Sequence, residues 1–258
     1  MERWCELDLK ECEPAVLAQL AEPGPLQPKL VTLLPAGARP EFDSVLRERL
    51  RAEQEQRNWY GVSALIQRYA SPALAVDVRQ ALEGPNRAPI CTFELELLAY
   101  LLRVDPENGW PLTEAEFHRR RPEDKCYREL LGTLAELTYT SRLGELAQKA
   151  FRDDKDPAVV GAAAFVLSRH GPPEAQNWIW GRLASWSERW RGQAEALLQH
   201  PGLADTTGGE ASLERTLSAA LVHATAWEFS KADYPRLSNL CVTDDCRRTV
   251  KNWADGFK

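Results

Sequence analysis

At 258 residues, of which 44% are hydrophobic and 27% charged, the chain can bury a sizeable core as one extended domain or two compact ones. Its 38 acidic residues against 32 basic, a formal net charge of −6, leave no electrostatic footprint for a nucleic-acid backbone or an anionic membrane. The longest apolar run, Val159 to Leu167, falls far short of the roughly 20 residues that span a bilayer, and the polar start MERWCELDLKEC lacks the basic head and apolar stretch of an export signal.

In the N-terminal arm, Val16, Leu17 and Leu20 predict one short helix, and Leu26, Leu30, Leu33 and Leu34 a second. Pro23, Pro25, Pro35 and Pro40, with Gly24 and Gly37, set tight connections between them. From Asp43 to Arg57 the only apolar positions are Val45, Leu46 and Leu50, besides Ala52, so a mostly solvated helix is expected.

Helix pairs follow. Val62, Leu65, Ile66 and Tyr69 form a stripe ending at RYASP, and Leu74, Val78, Ala81 and Leu82 form its returning partner. Phe93, Leu97, Tyr100, Leu101 and Val104 open a second pair, which stops at RVDPENG and returns through Leu112 to Phe117. A third has Leu130, Leu131, Leu134 and Leu137 buried after Tyr127, and returns through Leu143, Leu146, Ala147, Ala150 and Phe151.

The fourth begins with DPAVVGAAAFVLSRHG, from Asp156 to Gly171, the one stretch apolar on almost every side. Asp156 is suited to cap it, Pro157 to open it and Gly171 to end it, and such a helix needs neighbours on more than one flank. Its partner carries Ile179, Leu183, Trp186 and Trp190. Taking Arg68, Arg103, Leu137 and Arg169 as the ends of successive first helices gives spacings of 35, 34 and 32 residues. A period of that size points to a helical solenoid.

Beyond it, the loop from His200 to Glu210 precedes a helical pattern at Leu213, Leu217, Ala220, Leu221 and Ala224. Trp227, Leu237, Leu240, Val250, Trp253 and Phe257 form a C-terminal cap whose wet side is Arg247, Arg248, Lys251 and Asn252. No sustained period-2 alternation occurs, so the expected class is all-α.

The segment DKDPAVVGAAAFVLSRHGPPEA, Asp154 to Ala175, resembles a HEAT repeat: an Asp-Pro start, small residues at the centre and a Gly before the second helix. One departure is Val160, where many bacterial HEAT-like units carry an arginine of the polar ladder between neighbouring units. The resemblance covers roughly Asn58 to Trp190. It implies a right-handed α-α superhelix of antiparallel helix pairs at 58–199, between an N-terminal arm or cap at 1–57 and a C-terminal loop with capping helices at 200–258. The WCELDLKECEPAVLAQL start and LCVTDDC end make the layout similar to the C-terminal HEAT region of longer exported bacterial proteins, whose signal and upstream region would lie outside this chain.

Six cysteines fall into three groups, Cys5 with Cys12, Cys91 with Cys126 and Cys241 with Cys246. Three disulfides would place the chain in a periplasmic or extracellular setting; six reduced thiols in a cytoplasmic protein are the alternative. With no C-x-x-C and no ligand spacing among His118, His170, His200 and His223, no metal site is expected.

No phosphate-cradling loop, nucleophile elbow, H-E-x-x-H or dinucleotide fingerprint is present, so no catalytic residue and no cofactor are assigned. Glu94 with Glu96, Asp153 with Asp154, and the run His118 to Arg121 are read as solvated surface. His170 is read as a protonated imidazole favoured by a helix C-terminus.

Nine tryptophans are a stronger signal, four of them, Trp178, Trp180, Trp186 and Trp190, on one helix. Trp178 and Trp180, with Arg182 and Arg189, are the candidate partner-binding residues, aromatic and basic as interface anchors are. A thick core filled by bulky side chains is the plainer account of the same residues. The function expected is a noncatalytic protein–protein interaction scaffold, monomeric as an isolated domain, with no nucleic-acid partner and no membrane insertion. An enzyme on a HEAT-like scaffold, of tetrapyrrole-lyase or DNA-glycosylase type, and a structural spacer are the alternatives.

Overall fold

A computed structural model describes residues 9–22, 24, 32–56, 61–84, 91–120, 126–154, 156–175, 178, 231–240 and 244–256. Among these residues every regular element is an α-helix or a short 3-10 turn, so the all-α expectation holds. The chain divides into two compact units, Met1–Tyr127 with Glu136–Thr138, and Arg128–Ala135 with Tyr139–Lys258.

The first unit contains α1 (Leu9–Ala21), α2 (Asp43–Gln56), α3 (Val62–Tyr69), α4 (Ala75–Glu83), α5 (Cys91–Val104) and α6 (Pro106–His118). In chain order each of these helices packs on the next, α3 and α4 excepted, and α3 also packs on α5 and α4 on α6. Stripe periodicity explains this arrangement: Val62, Leu65, Ile66 and Tyr69 of α3, and Leu74, Val78, Ala81 and Leu82 around α4, are all buried. On α5, Leu95, Leu98, Ala99 and Leu102 are buried along with the expected Leu97, Tyr100 and Leu101, because this helix has neighbours on more than one side. The returning helix begins at Pro106, a turn before the apolar residues that announced it, since Pro106 needs no N–H in the first turn. Gly109 lets α6 approach α5 closely: a Cβ there would lie 2.9 Å from Leu101 Cβ.

One expectation is corrected: Thr32 to Leu34, the end of the second arm helix, form a turn and bend, while Leu26 and Leu30 lie outside the described residues. The helix α2 is mostly solvated, as expected, and buries Asp43 and Glu53 together with Leu46 and Leu50. Each acid serves the neighbouring chain: Asp43 accepts from Ser71 N at 3.0 Å and from Ser71 Oγ at 2.5 Å, and Glu53 accepts from Val62 N at 3.4 Å.

In the first unit, arginine and tyrosine side chains of α3 and α5 bond backbone carbonyls of preceding segments. Arg68 donates to Leu34 O at 3.4 Å, and Arg103 donates to Gln67 O at 3.0 Å and Ala70 O at 3.4 Å. Tyr69 Oη donates to Leu34 O at 3.0 Å, and Tyr100 Oη to Ser71 O at 2.5 Å. Burial, then the charge of Asp43, push the Tyr100 phenol well above its ordinary value, so it stays a neutral donor. Each Arg also lies over its neighbouring Tyr, Arg68 at 5.9 Å and Arg103 at 5.5 Å from the ring centroid. The Gln67 and Ala70 carbonyls, left over at the C-terminus of α3, are thus satisfied by a side chain of α5.

Described elements of the second unit are the middle of α7 (Cys126–Leu137), then α8 (Ser141–Asp153), α9 (Pro157–His170), α10 (Tyr234–Leu240) and α11 (Asp244–Asp255). Thr140 caps α8, accepting from Leu143 N at 3.2 Å. The stripe Leu143, Leu146, Ala147, Ala150 and Phe151 is buried, and α8 packs against α9. On α9 every described side chain from Val159 to Leu167 is buried except half-buried Ala162, as an apolar helix requires. The Asp156 side chain binds Arg128 at 2.7 Å, and the Asp156 carbonyl accepts from Val160 N at 3.0 Å. Between α10 and α11, which pack together, Val250 and Ala254 are buried.

Candidate functional site

Of the candidate partner-binding residues, Trp178 is helical and 37% exposed, its N–H donating to Glu174 O at 3.2 Å. Trp180, Arg182 and Arg189 lie outside the described residues.

At the end of α9, His170 departs from its expected role. Burial first, and Arg169 next, hold its imidazole below the usual histidine range, so the neutral ring is favoured. That ring stacks on Tyr139, with centroids 4.0 Å apart and planes 14° apart.

The pair Glu94 and Glu96 is also corrected: neither is a fully solvated surface acid. Glu96 is half-buried and accepts from Ser63 Oγ at 2.5 Å. Burial raises its carboxyl above the ordinary 4.5, and the Ser63 hydrogen bond opposes this only in part. Because the folded form holds this proton to higher pH than the unfolded chain, Glu96 costs stability as pH rises through its folded value. Glu96→Gln keeps an acceptor for Ser63 and removes the charge. Urea titrations should show it more stable than the parent at neutral pH, with the gain vanishing below pH 4.5; a gain that persists in acid would contradict this.

Glu94 belongs to a different cluster, which sequence reasoning missed. Cys91 and Glu94 stand three residues apart in the first turn of α5, and so on one face. Cys126 is the first residue of α7, and its sulfur is bonded to that of Cys91 with the Cα atoms 5.1 Å apart. Glu116, near the end of α6, completes the group: a carboxylate oxygen from each of Glu94 and Glu116 and the Cys126 sulfur all lie within 4.8 Å of one another. Exposure is 1% for Glu94, 3% for Glu116 and 1% for Cys126. Arg119 is the nearby cation, with Nη1 3.4 Å from Glu116 Oε2. Arg120, from the run read as a surface charge patch, lies over Tyr127 at 4.6 Å and Phe117 at 5.9 Å.

The bond closes a loop of 35 residues through α5 and α6. Among the described residues no cysteine is free, and Cys12 is disulfide-bonded as well. Of the other expected pairs, Cys5 and Cys241 lie outside the described residues. The sequence signals for the buried group were the pairing of Cys91 with Cys126 and the Cys91-x-x-Glu94 spacing at a helix start. What the arrangement offers chemically is one sulfur and two carboxylates converging in a buried site, with half-buried Cys91 bonded to that sulfur. No family model matches the chain, and no curated protein or solved structure does so either.

Proposed function

We infer that the chain is a noncatalytic protein–protein interaction scaffold, built as a HEAT-like right-handed superhelix of antiparallel helix pairs. The observation that carries this reading is the recurrence of one tie at successive levels of the first unit. Arg68 with Tyr69 reaches back to Leu34, and Arg103 with Tyr100 reaches back to the segment from Gln67 to Ser71, across 29 to 36 residues. An Arg and a Tyr of one helix reaching back to the preceding segment, in two places along the first unit, fits the local rule of a solenoid, in which each unit touches only its neighbours. Partner capture is assigned to the exposed Trp178 and to Trp180 and Arg182 beyond it. Among the described residues no helix is long and apolar enough to cross a membrane.

The test is retention of a partner by the immobilised full chain from envelope and cytosolic fractions, compared with Trp178→Ala and with Trp180→Ala/Arg182→Ala. The expected result is a retained polypeptide lost by at least tenfold in the variants, with helical circular dichroism unchanged. Equal retention by all three would move the binding face elsewhere, and capture of nothing by the parent would make the chain a spacer.

A further inference from the structure

We propose that the Cys91, Glu94, Glu116 and Cys126 cluster is a redox-gated site for a divalent transition-metal ion of zinc type, closed while the disulfide is intact and open once it is reduced.

The donor set carries the proposal. Two thiolates and two carboxylates are the sulfur and oxygen ligands that a tetrahedral, borderline-soft ion accepts. Three of the donor atoms already lie within 4.8 Å of one another, and the Cys91 sulfur is held beside that of Cys126 by their bond. With metal–sulfur bonds of about 2.3 Å and metal–oxygen bonds of about 2.0 Å, tetrahedral ligands stand roughly 3.3–3.8 Å apart. The carboxylates therefore close in slightly, and the sulfurs part to a distance that side-chain rotation reaches. Burial supplies a second argument: two carboxylates this close, each at least 97% out of water by exposures of 1% and 3%, gain from a cation between them.

The protein's own fields favour the charged ligands. Cys91 and Cys126 each open a helix of more than ten residues, where the positive end of the dipole favours thiolate over thiol. Glu94 shares the first turn with Cys91, and Arg119 stands beside Glu116, so part of the negative charge left around a divalent ion is offset.

The gating step balances with a dithiol as the reductant. Its two sulfurs give two electrons and two protons to the Cys91–Cys126 bond, which breaks into two thiols while the dithiol becomes a disulfide. Metal uptake then displaces both thiol protons to solvent. In the oxidised chain neither sulfur is a thiolate, and the site lacks half its ligands.

The test uses the full chain with cobalt(II) as a spectroscopic stand-in for zinc, after reduction by a non-chelating phosphine and again without reduction. Reduced chain should take up cobalt with the intense ligand-field bands of tetrahedral coordination and thiolate-to-metal charge transfer, and zinc should bleach both. Oxidised chain should show neither. Cys126→Ser should lose the charge-transfer band. Cys246→Ser should keep it, which separates this site from the remaining thiols. Glu94→Gln and Glu116→Gln, which leave both cysteines in place, should each weaken cobalt binding at least tenfold with helical circular dichroism unchanged. The proposal is overturned by reduced chain without tetrahedral bands, by equal binding in the oxidised chain, by bands that survive Cys126→Ser, or by full affinity in both glutamine variants.

Discussion

Ala163→Asp is expected to destabilise the second unit by about 3–5 kcal/mol, the largest effect of any single substitution considered for this chain. Ala163 sits near the middle of α9, a helix whose described neighbours Val159, Val160, Ala164, Phe165, Val166 and Leu167 are also buried. A carboxylate there loses its hydration and meets a methyl-lined wall, so it either ionises at great cost or folds protonated without an acceptor. Overpacking adds to the loss, since α8 is packed directly against α9. Half-buried Ala162, one residue earlier, is the internal control. Ala162→Asp places the same side chain on a helix of the same propensity, and should cost less than half as much by urea denaturation. Equal losses at the two positions would mean that α9 is not lined on the side that faces Ala163.

The second large effect is expected at Asp43, at about 2–4 kcal/mol for Asp43→Ala. This carboxylate opens α2 and accepts both the backbone N–H and the hydroxyl of Ser71, in the turn between α3 and α4. Ser71 Oγ is itself the cap of that turn, accepting from Ala73 N at 3.1 Å, and the Ser71 carbonyl accepts from Tyr100 on α5. One residue of a loop thus gathers bonds from three levels of the stack. Without Asp43, a buried N–H and a hydroxyl lose their partner, which costs more than the bonds contributed net of water. Asp43→Asn, which keeps one acceptor, should recover part of the loss.

The helices were legible because their apolar spacing is regular. Leu65, Ile66 and Tyr69, or Leu143, Leu146, Ala147 and Ala150, lie on one face whatever packs against it, and each of these residues is buried. Pro157 announced a helix start by chemistry that is local to the chain, and α9 begins there. What could not be read was polar burial. Asp43, Glu53, Glu94 and Glu116 look like other carboxylates in a chain with 38 acidic residues, and their burial depends on which partner a neighbouring helix presents. Glu94 and Glu116 meet only because α6 returns along α5, a pairing that a face-by-face reading of each helix does not contain. His170 was misjudged for a similar reason, since Tyr139, thirty-one residues earlier, supplies the stacking face. Cys91 and Cys126 were paired by their positions in the chain, but the carboxylates beside them were not part of that reading.

The proposed scaffold requires cooperation between successive helix pairs, because a surface made by them keeps its shape only if each pair fixes the next. A double-mutant cycle of Asp43→Ala and Tyr100→Phe, measured by urea denaturation, tests it most directly. Both residues act on Ser71 without bonding each other, so a rigid tie through that loop predicts a coupling of roughly 0.5–3 kcal/mol. Losses that add to within about 0.3–0.5 kcal/mol would show that α2 and α5 hold their places independently, and would contradict the stack as described.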